Sequence, residues 1–403
     1  LSCQSKSGQF ICSKSGQIYL LTTMYYYLIA PNKPILYNSH ALVKASLYNV
    51  IMKNTPTTST EQSILRLLKK ESHSYLSGQA LSKVFGISRT AIWKHIKAIK
   101  EMGYVIEASP AKGYRLNQKS LPFNAFEITS GLKTSVIGRD LVFYEEADST
   151  NDIARTVASN GAGEGSAVVA DSQKKGKGRL GRRWESPAGV NIYTSVILRP
   201  DIPPVFAPQL TLVSAVAVAE TIAKYLNPPA SPFFKGGIKD FSPLTEGGMG
   251  GFLSVKWPND ILLNSKKVAG ILTEMSSEMD RVNFVVIGIG VNVNMSKKML
   301  PEELRQIATS LKEEAGREIS RINFIQTLYL NLETWYKRYL NYGFEPVRKA
   351  WTSYFTMAGK WAKIQQMDKI VEGIAMGIDN DGALLLQEKS GNITRVISGD
   401  VTI

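Results

Sequence analysis

Cysteine is all but absent from this chain of 403 residues: Cys3 and Cys12 are the whole supply, and both stand in the first dozen positions. Neither a disulfide framework nor a Cys/His zinc site is open to the rest of the chain. Histidine is as scarce, and His40, His73 and His95 are too scattered to converge as ligands. No metal site is expected, and any metal would be a hard ion brought in with a nucleotide. Acidic residues are missing from the first 60 positions, which hold five lysines; residues 61–119 hold eleven basic against four acidic side chains, and the other 284 keep only +2 of the net +14. Positive charge therefore belongs to the N-terminal quarter, where nucleic acid is the acidic partner it suits. Long apolar runs near the start are also lacking: residues 18–30 are too short for a membrane span, though acceptable as the core of a secretory signal.

What is present suits a protein of two or three folded domains, with 44% apolar residues. The run from Gln173 to Trp184 gathers six cationic side chains and three glycines without one carboxylate, a composition that holds an anion. Gly176, Gly178 and Gly181 satisfy G-x-G-x-x-G, but a dinucleotide fingerprint needs a helix immediately afterwards. Here the turn Ser186-Pro187-Ala188-Gly189 follows, then a β-branched, alternating strand from Val190 to Leu198. Lying between that strand and strand-like residues 167–170, the loop reads as a flexible flap that closes over phosphate or carboxylate. A solvated basic hairpin tip is the other reading.

From Ser59 the pattern turns helical, with Ile64, Leu65, Leu67 and Leu68 on one face. Ser77 is placed to cap a second helix ending at Phe85, Gly86 supplies a sharp turn, and Ser88 caps a third helix from Arg89 to Met102 with apolar Ile92, Ile96 and Ile99. Arg89, Thr90, Trp93, Lys94 and Lys97 fall on its polar face, where a recognition helix meets bases and phosphates. Residues 104–107 and 114–116, joined by a Ser109–Gly113 turn, read as the wing. A basic three-helix unit with a solvated face is the bland alternative.

Several further segments complete a pattern: Asp148-Ser149-Thr150-Asn151 before a helix-like run, Lys256-Trp257-Pro258-Asn259-Asp260 after a strand, Lys267-Val268-Ala269-Gly270-Ile271-Leu272-Thr273-Glu274, and Gly288-Ile289-Gly290-Val291-Asn292. In order and spacing, together with the basic loop, they resemble the biotin protein ligases. The resemblance runs from about Ser59 to the C-terminus with one interruption. Because a winged helix precedes it, the chain is most similar to the bifunctional biotin ligase and biotin-operon repressors.

That resemblance implies an α+β chain with a winged helix-turn-helix over residues 59–119, a class II synthetase-like mixed-sheet ligase domain over 120–347, and an SH3-like barrel over 348–403. It implies attack of biotin's carboxylate on the α-phosphorus of ATP, giving biotinyl-5′-AMP and pyrophosphate, then transfer to a lysine of a biotin carboxyl carrier domain. Two anions meet in the first step, so cationic clamping and positioning should dominate. Lys256 and Arg179 are the expected catalytic cations, although a structural lysine is the other reading of Lys256. Ser149, Thr150, Asn151 and Gln173 match the biotin head-group positions, and Lys177, Gly178, Arg179 and Lys256 the adenylate site. Hydroxyls and amides suit a ureido ring, yet Ser149 and Thr150 also read as an N-cap. Many members of the family carry Arg where this chain has Lys177, which keeps the charge and loses the bidentate fork. Trp184 reads equally as flap anchor or core residue. Mg²⁺ is expected with ATP, and Asp260 and Asn292 stand nearby without assignment as ligands. Ser88, Arg89, Thr90, Trp93, Lys94 and Lys97 are the expected DNA contacts. Partners implied are the carrier domain, operator DNA and a second copy of the chain in a ligand-promoted homodimer, with no membrane.

Residues 1–58 read as a non-native or disordered extension, because secretion conflicts with cytoplasmic ATP chemistry and Met52 offers a natural start. Residues 227–251 interrupt the family pattern; ten of the 25 are Gly or Pro, with an imperfect S-P-x-x-x-G-G repeat, which suits a flexible insertion. Near the C-terminus, short strands about Asn380-Asp381-Gly382 suit a small barrel. Three rival functions stay open: a lipoate or octanoate ligase, a biotin sensor without catalysis, and a ligase that no longer represses.

Overall fold

The computed structural model describes residues 2–6, 9–14, 17–21, 59–118, 120–226, 252–366 and 369–402. Strands β1 (Ser2–Lys6), β2 (Gln9–Lys14) and β3 (Gln17–Leu21) form an antiparallel meander. Part of the stretch read as a disordered extension thus carries backbone pairing, and the rest up to residue 58, including most of the apolar run, lies outside the described residues. So does the insertion at 227–251.

Helices α1 (Ser59–Lys70), α2 (Gly78–Phe85) and α3 (Arg89–Glu101) enclose a core of Ile64, Leu65, Leu68, Leu81, Ile92, Ile96 and Ile99, while Leu67 is only partly buried. Ser77 Oγ accepts from the Ala80 N–H at 3.0 Å and Ser88 Oγ from the Ala91 N–H at 3.1 Å, satisfying orphan donors at two helix starts. The wing is the antiparallel pair β4 (Ile106–Ser109) and β5 (Gly113–Leu116). At Gly113, φ is +107° and a Cβ would fall 2.1 Å from the Leu76 carbonyl oxygen, so only glycine lets the wing bridge to the α1–α2 connection.

A six-residue helix, α4 (Ala125–Ser130), joins the two main cores. Phe126 packs into the winged-helix core and Ile128 into the larger one. Between them the buried Glu127 carboxylate takes the Lys69 ammonium at 2.5 Å and the Tyr104 hydroxyl at 2.7 Å.

The central domain is a seven-stranded sheet. In space its order is β6 (Leu141–Ala147), β7 (Ala167–Gln173), β8 (Ile192–Leu198), β12 (Val282–Val291), β11 (Lys266–Ser277), β10 (Asp260–Leu263) and β9 (Leu253–Lys256). The β6–β7 pair is parallel and the others antiparallel. Helix α5 (Thr150–Ser159) packs against β7, β8 and β12, while α6 (Gln209–Leu226) packs on β11 and against α8 (Arg321–Tyr342); α7 (Leu311–Ala315) lies beside α6. Helices on both faces leave β8 buried along its whole length, so its alternation of residue types marks two interiors and no solvent face. Residues 204–226 are apolar and long enough to cross a membrane, but mostly buried inside this domain.

Helix α9 (Glu345–Thr352) runs across the boundary placed at 347/348. It leads to an antiparallel five-stranded sheet ordered β16 (Ile393–Val396), β15 (Leu384–Gln387), β14 (Ile370–Ile378), β13 (Trp361–Gln365) and β17 (Asp400–Thr402). Asp379 Oδ1 accepts the N–H groups of Asp381 and Ala383, and Gly382 at φ +89° completes the expected Asn-Asp-Gly turn. The Gly382 carbonyl takes the Trp257 indole N–H at 3.1 Å, which fixes the C-terminal sheet beside β9.

Candidate active site

Two rows of glycine across the sheet open the site. Ser195 on β8, Gly288 on β12 and Leu272 on β11 are register partners, and Tyr193, Gly290 and Gly270 form the next row on the same face. A Cβ on Gly288 would lie 2.0 Å from Asn151 Oδ1, and one on Gly290 would lie 2.6 Å from the Trp184 ring. Missing side chains thus make two slots, one seating Asn151 and the other Trp184, whose ring also lies against Gly270 and beneath the Lys267 ammonium. Among the described residues the buried Trp184 indole N–H has no partner.

The cavity over these rows measures about 490 Å³ and brings together Ser149, Thr150, Asn151, Gln173, Lys177, Gly178, Arg179 and Lys256. Every site residue expected around one ligand therefore lines one cavity. Ser149 caps α5 through the Asp152 N–H at a long 3.5 Å, while Thr150 and Asn151 in the first turn are both 4% exposed. Gln173 ends β7. Its Oε1 accepts the Thr150 N–H at 2.8 Å, and its Nε2 donates to Ser186 Oγ at 3.0 Å.

The basic loop is a small hairpin in this structure. Trp184 N–H donates to the Gly176 carbonyl, and Gly178 N–H to the Arg182 carbonyl at 2.7 Å. Its tip, Leu180 and Gly181, has φ of +55° and +73°, an arrangement unfavourable for leucine, and the leucine side chain is exposed. Arg179 reaches inward to Asn259 Oδ1 and to the Gly399 carbonyl, each at 3.2 Å, and lies 3.7 Å from Asp400. Arg182 pairs with the same Asp400. The C-terminal sheet thus places a carboxylate and a carbonyl in the active site, a contribution that no local motif announced.

Each cation lining the cavity, with one exception, has a carboxylate partner: Lys177 with Asp152, Arg179 and Arg182 with Asp400, Arg183 with Glu185, Lys267 with Asp260. The exception among the described residues is Lys256, the last residue of β9. Its positive charge is left for the cavity's contents. Asn292 Nδ2 donates to the Thr309 carbonyl and its Oδ1 accepts from Asn191, while Asp260 pairs with Lys267. No group of three His, Cys, Asp or Glu side chains converges as a metal site among the described residues.

On the winged helix, Ser88, Arg89, Thr90, Trp93, Lys94 and Lys97 are all exposed on α3. Arg89, Thr90 and Trp93 border a groove whose other wall is the wing at Ser109, Pro110 and Tyr114. Ser88 spends a lone pair on its cap and Lys97 lies 6.0 Å over the Trp93 ring.

Comparison with known proteins decides the family. Residues 143–292 and 251–353 match the biotin/lipoate A/B protein ligase family, 60–115 an HTH domain, and 363–403 the biotin protein ligase C-terminal domain. The bifunctional ligase/repressor BirA of Bacillus subtilis is 41% identical over 340 residues, 84% of this chain and 97% of that protein. The chain belongs to the biotin protein ligases of the bifunctional ligase/repressor type. The Escherichia coli BirA is 31% identical over 81% of this chain and 92% of its own length. A biotin protein ligase from Aquifex aeolicus, solved with biotin and ATP, aligns with a TM-score of 0.52 at 27% identity, covering 66% of this chain and 98% of that one. The α+β ligase fold, the N-terminal DNA-binding domain and the small C-terminal sheet domain expected from the sequence are all present in this ligase.

Proposed function

We propose that this ligase condenses biotin with ATP inside the cavity over the two glycine rows and passes the biotinyl group to a lysine of a carboxylase carrier domain. The head group lies between Thr150, Asn151 and Gln173, where hydroxyl and amide groups match a ureido ring that both donates and accepts. A carboxylate oxygen of biotin attacks the α-phosphorus and pyrophosphate leaves. The acceptor amine then attacks the anhydride carbonyl, loses a proton and displaces AMP. The unpaired Lys256 carries this reading: it offsets the repulsion between carboxylate and phosphate, while Arg179 and Lys177 of the flap hold the adenylate. Magnesium arrives on the nucleotide, with phosphate oxygens as its principal ligands.

The groove between α3 and the wing is assigned to operator DNA. Arg89, Thr90, Trp93, Lys94 and Lys97 face bases and phosphates, and Ser88 holds the helix start against the backbone. Biotinyl-AMP serves as corepressor by ordering the flap and promoting a homodimer, in the cytoplasm where its substrates are. Incubating purified protein with MgATP, labelled biotin and a biotin carboxyl carrier domain tests the catalytic half: label moves to the carrier, and lipoate or octanoate does not replace biotin. Label that stays free with a folded enzyme, or equal transfer of lipoate, contradicts it.

A further inference from the structure

The polar end of the cavity is built on a hydrogen-bond chain whose direction is set from a strand beyond it. Glu274 on β11 carries a carboxylate, which accepts and never donates when ionised. Asn151 Nδ2 donates to Glu274 Oε2 at 2.8 Å and to the Leu272 carbonyl at 3.3 Å, so its amide oxygen faces Ser195. Ser195 Oγ, fully buried, lies 2.6 Å from that oxygen and 2.8 Å from Thr150 Oγ1. A hydroxyl owns one proton. With the Ser195 proton committed to Asn151, the contact to Thr150 is made by the Thr150 proton, which is the shorter of its two choices because Gln173 Oε1 is 3.2 Å away. Thr150 is then left with lone pairs for the cavity and no proton to offer it.

We propose that Glu274 is a positioning residue that fixes the polarity of this chain, so that Thr150 presents an acceptor and the site selects a head group with a ring N–H donor. The proposal rests on the assignment of Thr150 to the biotin head group and goes beyond it by naming what orients the hydroxyl. The other partner of Glu274, Arg155, stands 3.6 Å away and is half-exposed, a surface pair of little weight. Deleting the carboxylate leaves the longer 3.3 Å bond to the Leu272 carbonyl to hold the amide, so the preference for one orientation weakens and a share of molecules turn Asn151 over. In those molecules the chain reverses, and Thr150 gains the freedom to donate.

The test uses pyrophosphate release during adenylate formation, with biotin and with two carbamate analogues in which one or other ring N–H is replaced by oxygen. Wild-type enzyme should reject at least one analogue by roughly 100-fold in kcat/KM, as sites built around a substrate donor do. Glu274→Ala should raise the KM for biotin about tenfold, leave the KM for ATP unchanged, and shrink that discrimination about tenfold or more. Glu274→Gln, whose carboxamide oxygen still accepts, should stay within about threefold of wild type, and Arg155→Ala should match it. Glu274→Met removes the acceptor at similar volume if the alanine variant melts early. Wild-type discrimination in Glu274→Ala or Glu274→Met, alongside its loss in Thr150→Val, overturns the role of Glu274 alone. Wild-type discrimination in Thr150→Val as well overturns the placement of the head group and the inference with it.

Discussion

Lys256 and Asp400 show how the same cavity uses charge in opposite ways. Among the described residues Lys256 stands without a carboxylate, which leaves its charge for the anions of the proposed reaction, whereas Asp400 pairs with two arginines of the flap and sets where their guanidinium groups point. Guanidinium placement to within an ångström governs a phosphate clamp. Asp400→Ala is therefore expected to raise the KM for ATP by roughly tenfold while leaving the KM for biotin within about twofold, read from steady-state kinetics. Equal effects on both substrates would point to general loosening of the flap. Lys177 is already engaged by Asp152 at 2.5 Å, so this lysine has a local tether and not the bidentate grip an arginine would offer. Cationic residues were legible in the sequence because the basic loop and the Lys-Trp-Pro-Asn-Asp run are dense and local. Asp400, Ser195 and Glu274 were not, since each reaches the site from a strand remote in sequence and matters only through register.

At the scale of elements, the helix caps and turns were the most legible features, because Ser77, Ser88 and Gly86 act within four residues of their own position. The glycines of β11 and β12 were visible only as a motif; their purpose depends on strand pairing, which aligns Gly288 with Ser195 and Gly290 with Gly270. The strand read from Val190 begins at Ile192, and its two-sided burial was concealed because helices elsewhere in the chain cover it. A further element-scale device lies on α8. Burial alone would push the Glu333 carboxyl up, but the Lys337 ammonium and the N–H groups of Ser135, Val136 and Ile137 outweigh it and hold its pKa down at about 2. A depressed carboxyl contributes its stability above the unfolded value of 4.5 and loses it as pH falls through 2. Wild type should therefore exceed Glu333→Gln in urea midpoint at pH 6, with the gap closing as pH drops from 4.5 towards 2. A gap that does not vary with pH would contradict this account.

Across the whole molecule, α4 is the piece that makes one machine of two cores. Phe126 belongs to the winged helix, Ile128 to the ligase domain, and Glu127 between them is held by Lys69 and Tyr104. A domain mounted this way takes its orientation from the ligase domain, so in the proposed homodimer the dimer geometry would set half-site spacing. Biotinyl-AMP is expected to raise both the dimer fraction in sedimentation and operator affinity in fluorescence anisotropy, with Arg89→Ala weakening operator binding by about 1–3 kcal/mol and leaving biotin transfer intact. Identical dimerisation and operator binding with and without the adenylate would remove the switch and leave an enzyme with an appended DNA-binding domain.

In the proposed reaction biotin and ATP meet over the glycine rows with Lys256 between their charges. Biotin-dependent exchange of labelled pyrophosphate into ATP reads that first chemical step without the acceptor. Wild type should exchange only when biotin is present, and Lys256→Ala should lose exchange by roughly 100-fold or more with its thermal melt unchanged. Exchange within about threefold of wild type in that variant would contradict the placement of Lys256 at the reacting centre.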